Sequence, residues 1–547
     1  MEWMSPIDSS FLHVENNVTP MHIGGVSIFA GPPPAFEDLR AMVAAKLDLV
    51  PRYRQKVRFV PLQAGPPVWI EDSHFSLAYH VRHTAVPSPG GEAQLRDMAS
   101  RIFSQHLDRN KPLWELWVVE GLDGGRWAIL SKVHHCMVDG VAATDLMSVM
   151  SSDEEVPAGA GRWSPEPEPS SLEVLIGSLR RRASPAGQVQ ALQHALQRPR
   201  QTLQTLTETA RGLASASRTL RPVASSSLTG PIGPHRRWSW AHVRLTDVKA
   251  VRAELGGTVN DVVLTIITNG FRDLLESRGE HIADGQVVRT MVPVSVRARG
   301  EKGVYNNRVS AVFASLPVGI GDPAVRLARI RAEMDGIKQS KQAVAGDVLS
   351  SLSGFAPPLL LALGSRVITA SPRLNMHTAT TNVPGPQQPV QTLGRRMLES
   401  YPFVPVVGSI QIVVAIFSYD GGLYFGVTGD YDGAPDIDVL TAGVESGMAD
   451  LLALAEPPKT KKARAPARQG RPQVEVLVAI GRRAAMIEVI ADDQARAKRT
   501  RPPSRVAPRD GVRPRLGRLG RRPRRAAERA GGGDAASGGA RPRGHRP

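Results

Sequence analysis

Two adjacent histidines, His134 and His135, followed after three residues by Asp139 and Gly140, form the stretch of this chain best equipped for chemistry. A neutral imidazole takes up a proton readily near neutral pH, because its ordinary pKa is about 6.5. The apolar run 127–133 ahead of the pair reads as a buried strand, joined through Asp123-Gly124-Gly125 to an earlier strand over 113–119. Side chains alternate along a strand, so His135 falls with Ile129, Ser131 and Val133, and His134 with Leu130 and Lys132. The two rings therefore have different tasks, and general-base chemistry at a strand end suits one of them. Asp139 precedes a helical pattern over 141–150, where free backbone N–H groups and the helix dipole favour a carboxylate.

Three other readings compete. Both histidines could be hydrogen-bonded core residues, but the full spacing after a strand outweighs that. Two His and one Asp could bind a metal; adjacent strand residues diverge and no further ligand cluster stands nearby, so no metal is expected. Cys136, the single cysteine, is a candidate thiol nucleophile, although a small buried space-filler fits it better.

The elements that must hold this stretch follow from periodicity. Residues 36–50 and 94–107 have helical spacing, and Pro112-Leu113-Trp114 opens the first strand of the hairpin, with Trp114 large enough to anchor it. His22 stands at the start of an apolar strand and reads as structural. Residues 151–235 change character: acidic and Pro-Glu repeats mark an exposed linker, then 172–181, 188–197 and 202–220 show Leu at helical spacing with basic opposite faces. Most such helices cover a core; a minority lie on lipid. A strand over 238–245, a helix over 246–255, a hairpin around Ser418-Tyr419-Asp420-Gly421 and a closing helix over 436–454 complete the pattern. Asn260-Asp261 opens an apolar helix, and either residue reads as a cap.

At 547 residues the chain exceeds what one core normally serves. Residues 457–547 hold 25 Lys+Arg and 7 Asp+Glu, leaving 43 against 44 for the rest, so the basic character belongs to the tail. The tail is rich in Arg, Pro, Gly and Ala and is expected to be disordered; a frameshifted reading of a GC-rich gene would look the same. It lacks interleaved aromatics and motifs for nucleic acid, so no specific nucleic acid is expected. One cysteine, no secretory signal and no apolar run of about 18 residues point to a cytoplasmic protein, with peripheral membrane or lipid-droplet contact as the open option.

The run His134-His135-Cys136-Met137-Val138-Asp139-Gly140 resembles the HHxxxDG signature of the CoA-dependent acyltransferase superfamily, which includes peptide condensation domains. Flanking segments narrow the resemblance to the bacterial wax ester synthase/diacylglycerol acyltransferase family. They include the opening Ser5-Pro6-Ile7-Asp8 with Pro20-Met21-His22, then Pro112-Leu113-Trp114, Asn260-Asp261, Met291-Val292-Pro293, and Thr381-Asn382-Val383-Pro384-Gly385-Pro386, where the family usually has Ser for Thr381. The matches run from about Ser5 to Leu454.

The resemblance implies an α+β fold of two chloramphenicol-acetyltransferase-like or condensation-like lobes, with the active site in a tunnel between them and a disordered basic tail. The corresponding division is 1–150 and 236–456 for the lobes, 151–235 for the crossover and 457–547 for the tail. It implies a catalytic set of His135, His134, Asp139 and Gly140, with Asn260, Asp261, Thr381 and Asn382 at the substrate. The expected reaction moves an acyl group from acyl-CoA, a co-substrate rather than a cofactor, to diacylglycerol or a long-chain alcohol, with no cofactor. Asp139 would hold the loop through an ion pair, and His134 would position it. The alternatives are a polyketide- or peptide-associated acyltransferase fed by a carrier protein, and a non-catalytic lipid- or nucleic-acid-binding protein.

Overall fold

Alternation along the histidine strand sets the first sheet, and the rest of the chain builds outward from it. The computed structural model describes residues 1–137, 163–183, 226–295, 309–339 and 376–455. The expected helices over 141–150, 188–197 and 202–220, and the tail, lie outside the described residues.

In chain order the first half runs β1 (Glu2–Trp3), α1 (Pro6–Val14), β2 (His22–Phe29), α2 (Phe36–Lys46), β3 (Gln55–Arg58), β4 (Val68–Glu71), α3 (Leu77–His80), β5 (Val81–Ala85), α4 (Glu92–Ser104), β6 (Trp114–Glu120) and β7 (Trp127–His134). Then come α5 (Ser171–Ala183), β8 (Arg236–Arg244), α6 (Leu245–Leu255), α7 (Val259–Ser277), β9 (Val288–Ser295), β10 (Val309–Leu316) and α8 (Pro323–Gln339). The described residues close with β11 (Thr378–Pro384), β12 (Gln391–Thr392), β13 (Arg395–Phe403), β14 (Ile412–Tyr419), β15 (Gly422–Asp430) and α9 (Ile437–Ala455). Local chemistry accounts for several boundaries. Ser5 caps α1 by accepting from the Asp8 N–H at 3.1 Å, with Pro6 at the first helical position. Thr258 and Asp261 cap α7 reciprocally, each side chain accepting the other's backbone N–H.

Two six-stranded mixed sheets result, in the orders β12-β13-β2-β7-β6-β5 and β10-β9-β11-β14-β15-β8, beside a small β1-β4-β3 sheet. The first sheet is antiparallel except for β5 beside β6, and in the second β11 runs parallel to both β9 and β14. Each large sheet has its own apolar core: Val262, Ile266, Phe271 and Leu440 belong to one, Val26, Leu116, Leu130 and Phe103 to the other. This is the α+β, two-lobed architecture expected.

Chain order and sheet membership part company at β13. That strand comes from the second half of the sequence but pairs with β2 in the first sheet, Pro402 opposite Gly25 and Phe403 opposite Gly24. The approach is close enough to require glycine: a Cβ on Gly25 would stand 2.6 Å from the Tyr401 carbonyl oxygen. From the other side, a Cβ on Gly426 of β15 would stand 1.7 Å from the Pro402 carbonyl oxygen, so the two sheets meet backbone to backbone at β13. The linker also departs from a free exposed run. Glu168 pairs with Lys56, Trp163 packs edge-on to Phe75, and α5 buries Val174 against Val60, Val68 and Ile70 of the first half. No helix among the described residues is long and apolar enough to cross a membrane.

Candidate active site

The catalytic stretch begins where β7 ends. The His134 N–H donates to the Leu113 carbonyl at 2.9 Å and the His135 N–H to the Met21 carbonyl at 2.8 Å, so neighbouring segments on both sides pin the turn His135–Met137. The two rings face different surroundings, as strand alternation requires.

The His135 ring stacks face to face on Phe11 of α1, centroids 3.9 Å apart and planes 19° from parallel. Its Nδ1 is buried with no hydrogen-bond partner among the described residues, and the residue lines open space. Burial pushes its pKa down to about 4, assisted by the nearby His134. The ring is therefore neutral at pH 7, as a base must be.

That open space consists of two cavities. One, of about 400 Å³, is walled almost wholly by apolar groups, among them Phe11, Val14, Met21, Met291, Met376 and Val413. The other, of about 570 Å³, is more mixed and includes Ser27, Trp114, Ser131, Ser400 and Tyr401. Four residues line both: Ile23, His135, Thr381 and Val404. His135 and Thr381 are thus the two polar residues among the four that the arms share.

His134 is held differently. Its Nδ1 accepts from the Cys136 N–H at 3.1 Å, so the ring proton sits on Nε2, which lies 3.6 Å from Oε2 of Glu15. Glu15 is buried and crowded by donors: Arg109 reaches Oε2 through Nε at 2.8 Å and through a terminal nitrogen at 2.6 Å, and the Met21 N–H reaches Oε1 at 3.1 Å. Burial alone would raise its pKa, but the imidazoles of His106 and His134 and the Met21 N–H hold it far below the usual carboxylate range. Sequence reasoning passed over Glu15 because no motif contains it. Its one signal is position: an acidic residue at the C-terminal cap of a helix, where the dipole disfavours it.

The other candidates divide. Asp139 and Gly140 lie outside the described residues. Thr381, on β11 opposite Ala415 of β14, reaches both cavities, whereas Asn382, next along the strand, lines neither. Asn260 and Asp261 line neither cavity as well; Asp261 is buried in the α7 capping box, the role its local sequence suggests, so the carboxylate is committed to the helix rather than to substrate. His22 is fully buried, its Nε2 2.8 Å from the Phe103 carbonyl oxygen. Cys136 is buried among Met4, Leu12 and Leu113, and burial pushes its thiol well above its ordinary pKa, which leaves it no thiolate character for attack. Trp114 does more than pack: it lines the larger cavity while its indole N–H donates to the Tyr53 carbonyl at 2.8 Å.

The sequence patterns of two domains match the chain: the wax ester synthase/diacylglycerol acyltransferase catalytic domain over residues 4–263, and the WS/DGAT C-terminal domain over residues 305–451. A Mycobacterium tuberculosis protein named as a probable diacylglycerol O-acyltransferase is 34% identical over 466 residues, 85% of this chain and 98% of that protein. The chain belongs to the wax ester synthase/diacylglycerol acyltransferase family. A second such M. tuberculosis protein is 31% identical over 461 residues, 82% of this chain and 99% of that protein. Among solved structures, the wax ester synthase/diacylglycerol acyltransferase of Marinobacter aquaeolei VT8 superposes with a TM-score of 0.59 at 24% identity, over 83% of this chain and all of that one. The first condensation domain of the calcium-dependent antibiotic synthetase follows at 0.51 and 15%, over 83% of this chain and 96% of that one, so the family fold is shared with condensation domains.

Proposed function

We propose that this wax ester synthase/diacylglycerol acyltransferase family member transfers a fatty acyl group from acyl-CoA to the hydroxyl of diacylglycerol or a long-chain alcohol, with His135 as general base. The observation that carries the reading is the neutral imidazole at the meeting point of two cavities, one of them nearly all apolar. Two substrates entering by separate arms would meet there, and an alkyl chain suits the apolar one.

In this mechanism His135 Nε2 takes the proton of the acceptor hydroxyl as its oxygen attacks the thioester carbon. The oxyanion that forms needs donors, each worth up to about 3 kcal/mol, and Thr381, which lines both cavities, is our candidate for one of them. As the carbon–sulfur bond breaks, the CoA thiolate takes the proton back from the imidazolium, leaving an ester and free CoA. No covalent acyl-enzyme is required. The helix α5 leaves Leu172, Ile176 and Leu179 exposed at helical spacing beside Arg180 and Arg181, which suits peripheral contact with a lipid surface where such acceptors reside.

The test is His135→Ala in purified protein supplied with labelled acyl-CoA and diacylglycerol, without any carrier protein. Product formation is expected to fall at least about a thousandfold while the fold survives; near-normal turnover would remove the general base, and turnover only with a carrier-bound donor would move the protein to the alternative substrate class.

A further inference from the structure

We propose that Glu15 is a positioning residue for this acyl transfer: from the end of α1 its carboxylate holds His134 in one tautomer and place, and through His134 and Met21 fixes the turn that presents His135. The inference rests on His135 being the base, and adds how that base is kept in position.

The geometry links three segments. The His134 Nε2–H lies 3.6 Å from the Glu15 carboxylate, an electrostatic contact longer than a hydrogen bond, and on the other side of the ring Nδ1 accepts the Cys136 N–H, one residue past His135. The same carboxylate accepts the Met21 N–H, while the Met21 carbonyl accepts the His135 N–H. The turn is therefore tied to Glu15 by two routes, one on each side of His135. The other tautomer of His134 would place an N–H against the Cys136 N–H and a lone pair against a carboxylate, and both contacts are repulsive. The same helix also touches the base directly, since Phe11, one turn before Glu15, stacks on the His135 ring.

The charged and titratable groups facing Glu15 among the described residues are His106 and Arg109 from the segment after α4, Lys132 and His134 from β7, and His22 from β2. A simpler role would be to neutralise Arg109. Arg109 is 39% exposed, however, and water can serve it, whereas the His134 side chain is 1% exposed and has Glu15 as its anionic neighbour. The burial asymmetry assigns the carboxylate to the histidine.

The experiment uses the full-length enzyme with palmitoyl-CoA and dioleoylglycerol in mixed micelles. Glu15→Gln keeps size and an acceptor for the Met21 N–H but removes the charge; Glu15→Asp keeps the charge and withdraws it by one methylene. The expected result for Glu15→Gln is a kcat lowered roughly ten- to a hundredfold with KM for both substrates little changed, and a smaller loss for Glu15→Asp. Opening of the turn is read separately from the rate at which an aromatic disulfide modifies Cys136, a signal that inactive variants also give. That rate should rise at least about fivefold in Glu15→Gln and in His134→Asn, and no further in the double variant.

Additive effects on the thiol rate, or an unchanged kcat in Glu15→Gln, would overturn the proposal. Should Glu15→Gln not fold, Glu15→Asp in the same two backgrounds decides by the same criterion. An active His135→Ala would sink the general-base reading itself; an inactive one alongside uncoupled Glu15 and His134 would sink only the positioning role.

Discussion

A histidine that must accept a proton from an alcohol has to stay uncharged, and here burial is the chief cause that keeps it so. Phe11 covers one face of His135 and the buried turn covers Nδ1, so forming the imidazolium is penalised. With a pKa near 4, the free enzyme should keep its base down to acidic pH and lose kcat/KM as pH falls through that value. Phe11→Ala admits water beside the ring, so the acid limb is expected to move up to between about 5 and 6. A pH–rate profile of the two proteins checks the direction; an unmoved limb would mean that Phe11 does not set the basicity. At this scale the sequence was legible where chemistry is local. Opposed tasks for His134 and His135 follow from strand alternation, and the capping role of Asp261 follows from its place after Thr258. Glu15 was not legible because its meaning depends on a residue 119 positions away.

Strands beside clear turns, such as 113–119 and 127–133, were legible, whereas β5, β9, β11 and β13 and the long-range partners of most strands were not. The hairpin of β6 and β7 follows from its Gly-rich turn, and α9 from its spacing, because both are decided within a few residues. Nothing local to residues 395–403 indicates that they pair with β2, some 370 positions earlier, since period-two alternation names a face and not a neighbour. The consequence is that the halves of the chain are not independent. Residues 1–235 expressed alone should leave the β2 edge from Gly24 to Phe29 unpaired and aggregate, whereas coexpression with residues 236–456 should restore a soluble complex. Size-exclusion chromatography of both preparations tests this, and a monomeric, soluble 1–235 fragment would contradict it.

For the whole molecule, the notable store of pH sensitivity is a set of buried imidazoles. His22, His80, His135 and His377 all have pKa values lowered by burial, His80 and His135 to about 4. The unfolded chain would bind these protons at about 6.5, so it binds more of them than the native state between 6.5 and 4. Stability from this source is full above 6.5 and is lost as pH falls through the native values. His106, whose pKa is raised chiefly by Glu15, opposes the trend: its contribution is present below 6.5 and lost as pH rises through the raised value. Calorimetry is expected to show Tm several degrees lower at pH 5 than at pH 7, and a flat profile would refute the reading. Charge counting was informative here in a negative way, because it moved the basic excess to residues 457–547 and left the matched region near neutrality.

The seam at Gly426 carries a last implication. Where a main-chain carbonyl rests against a missing side chain there is no compressible side chain at the seam, so we expect the contact to resist spreading of the lobes around a bulky guest. Room for larger acceptors must then come from the walls. Three of those in the apolar arm are Met21, Met291 and Met376, whose unbranched thioethers can be rearranged or trimmed without disturbing the frame. On the proposed reading, substrate range is then expected to follow the upholstery more than the skeleton.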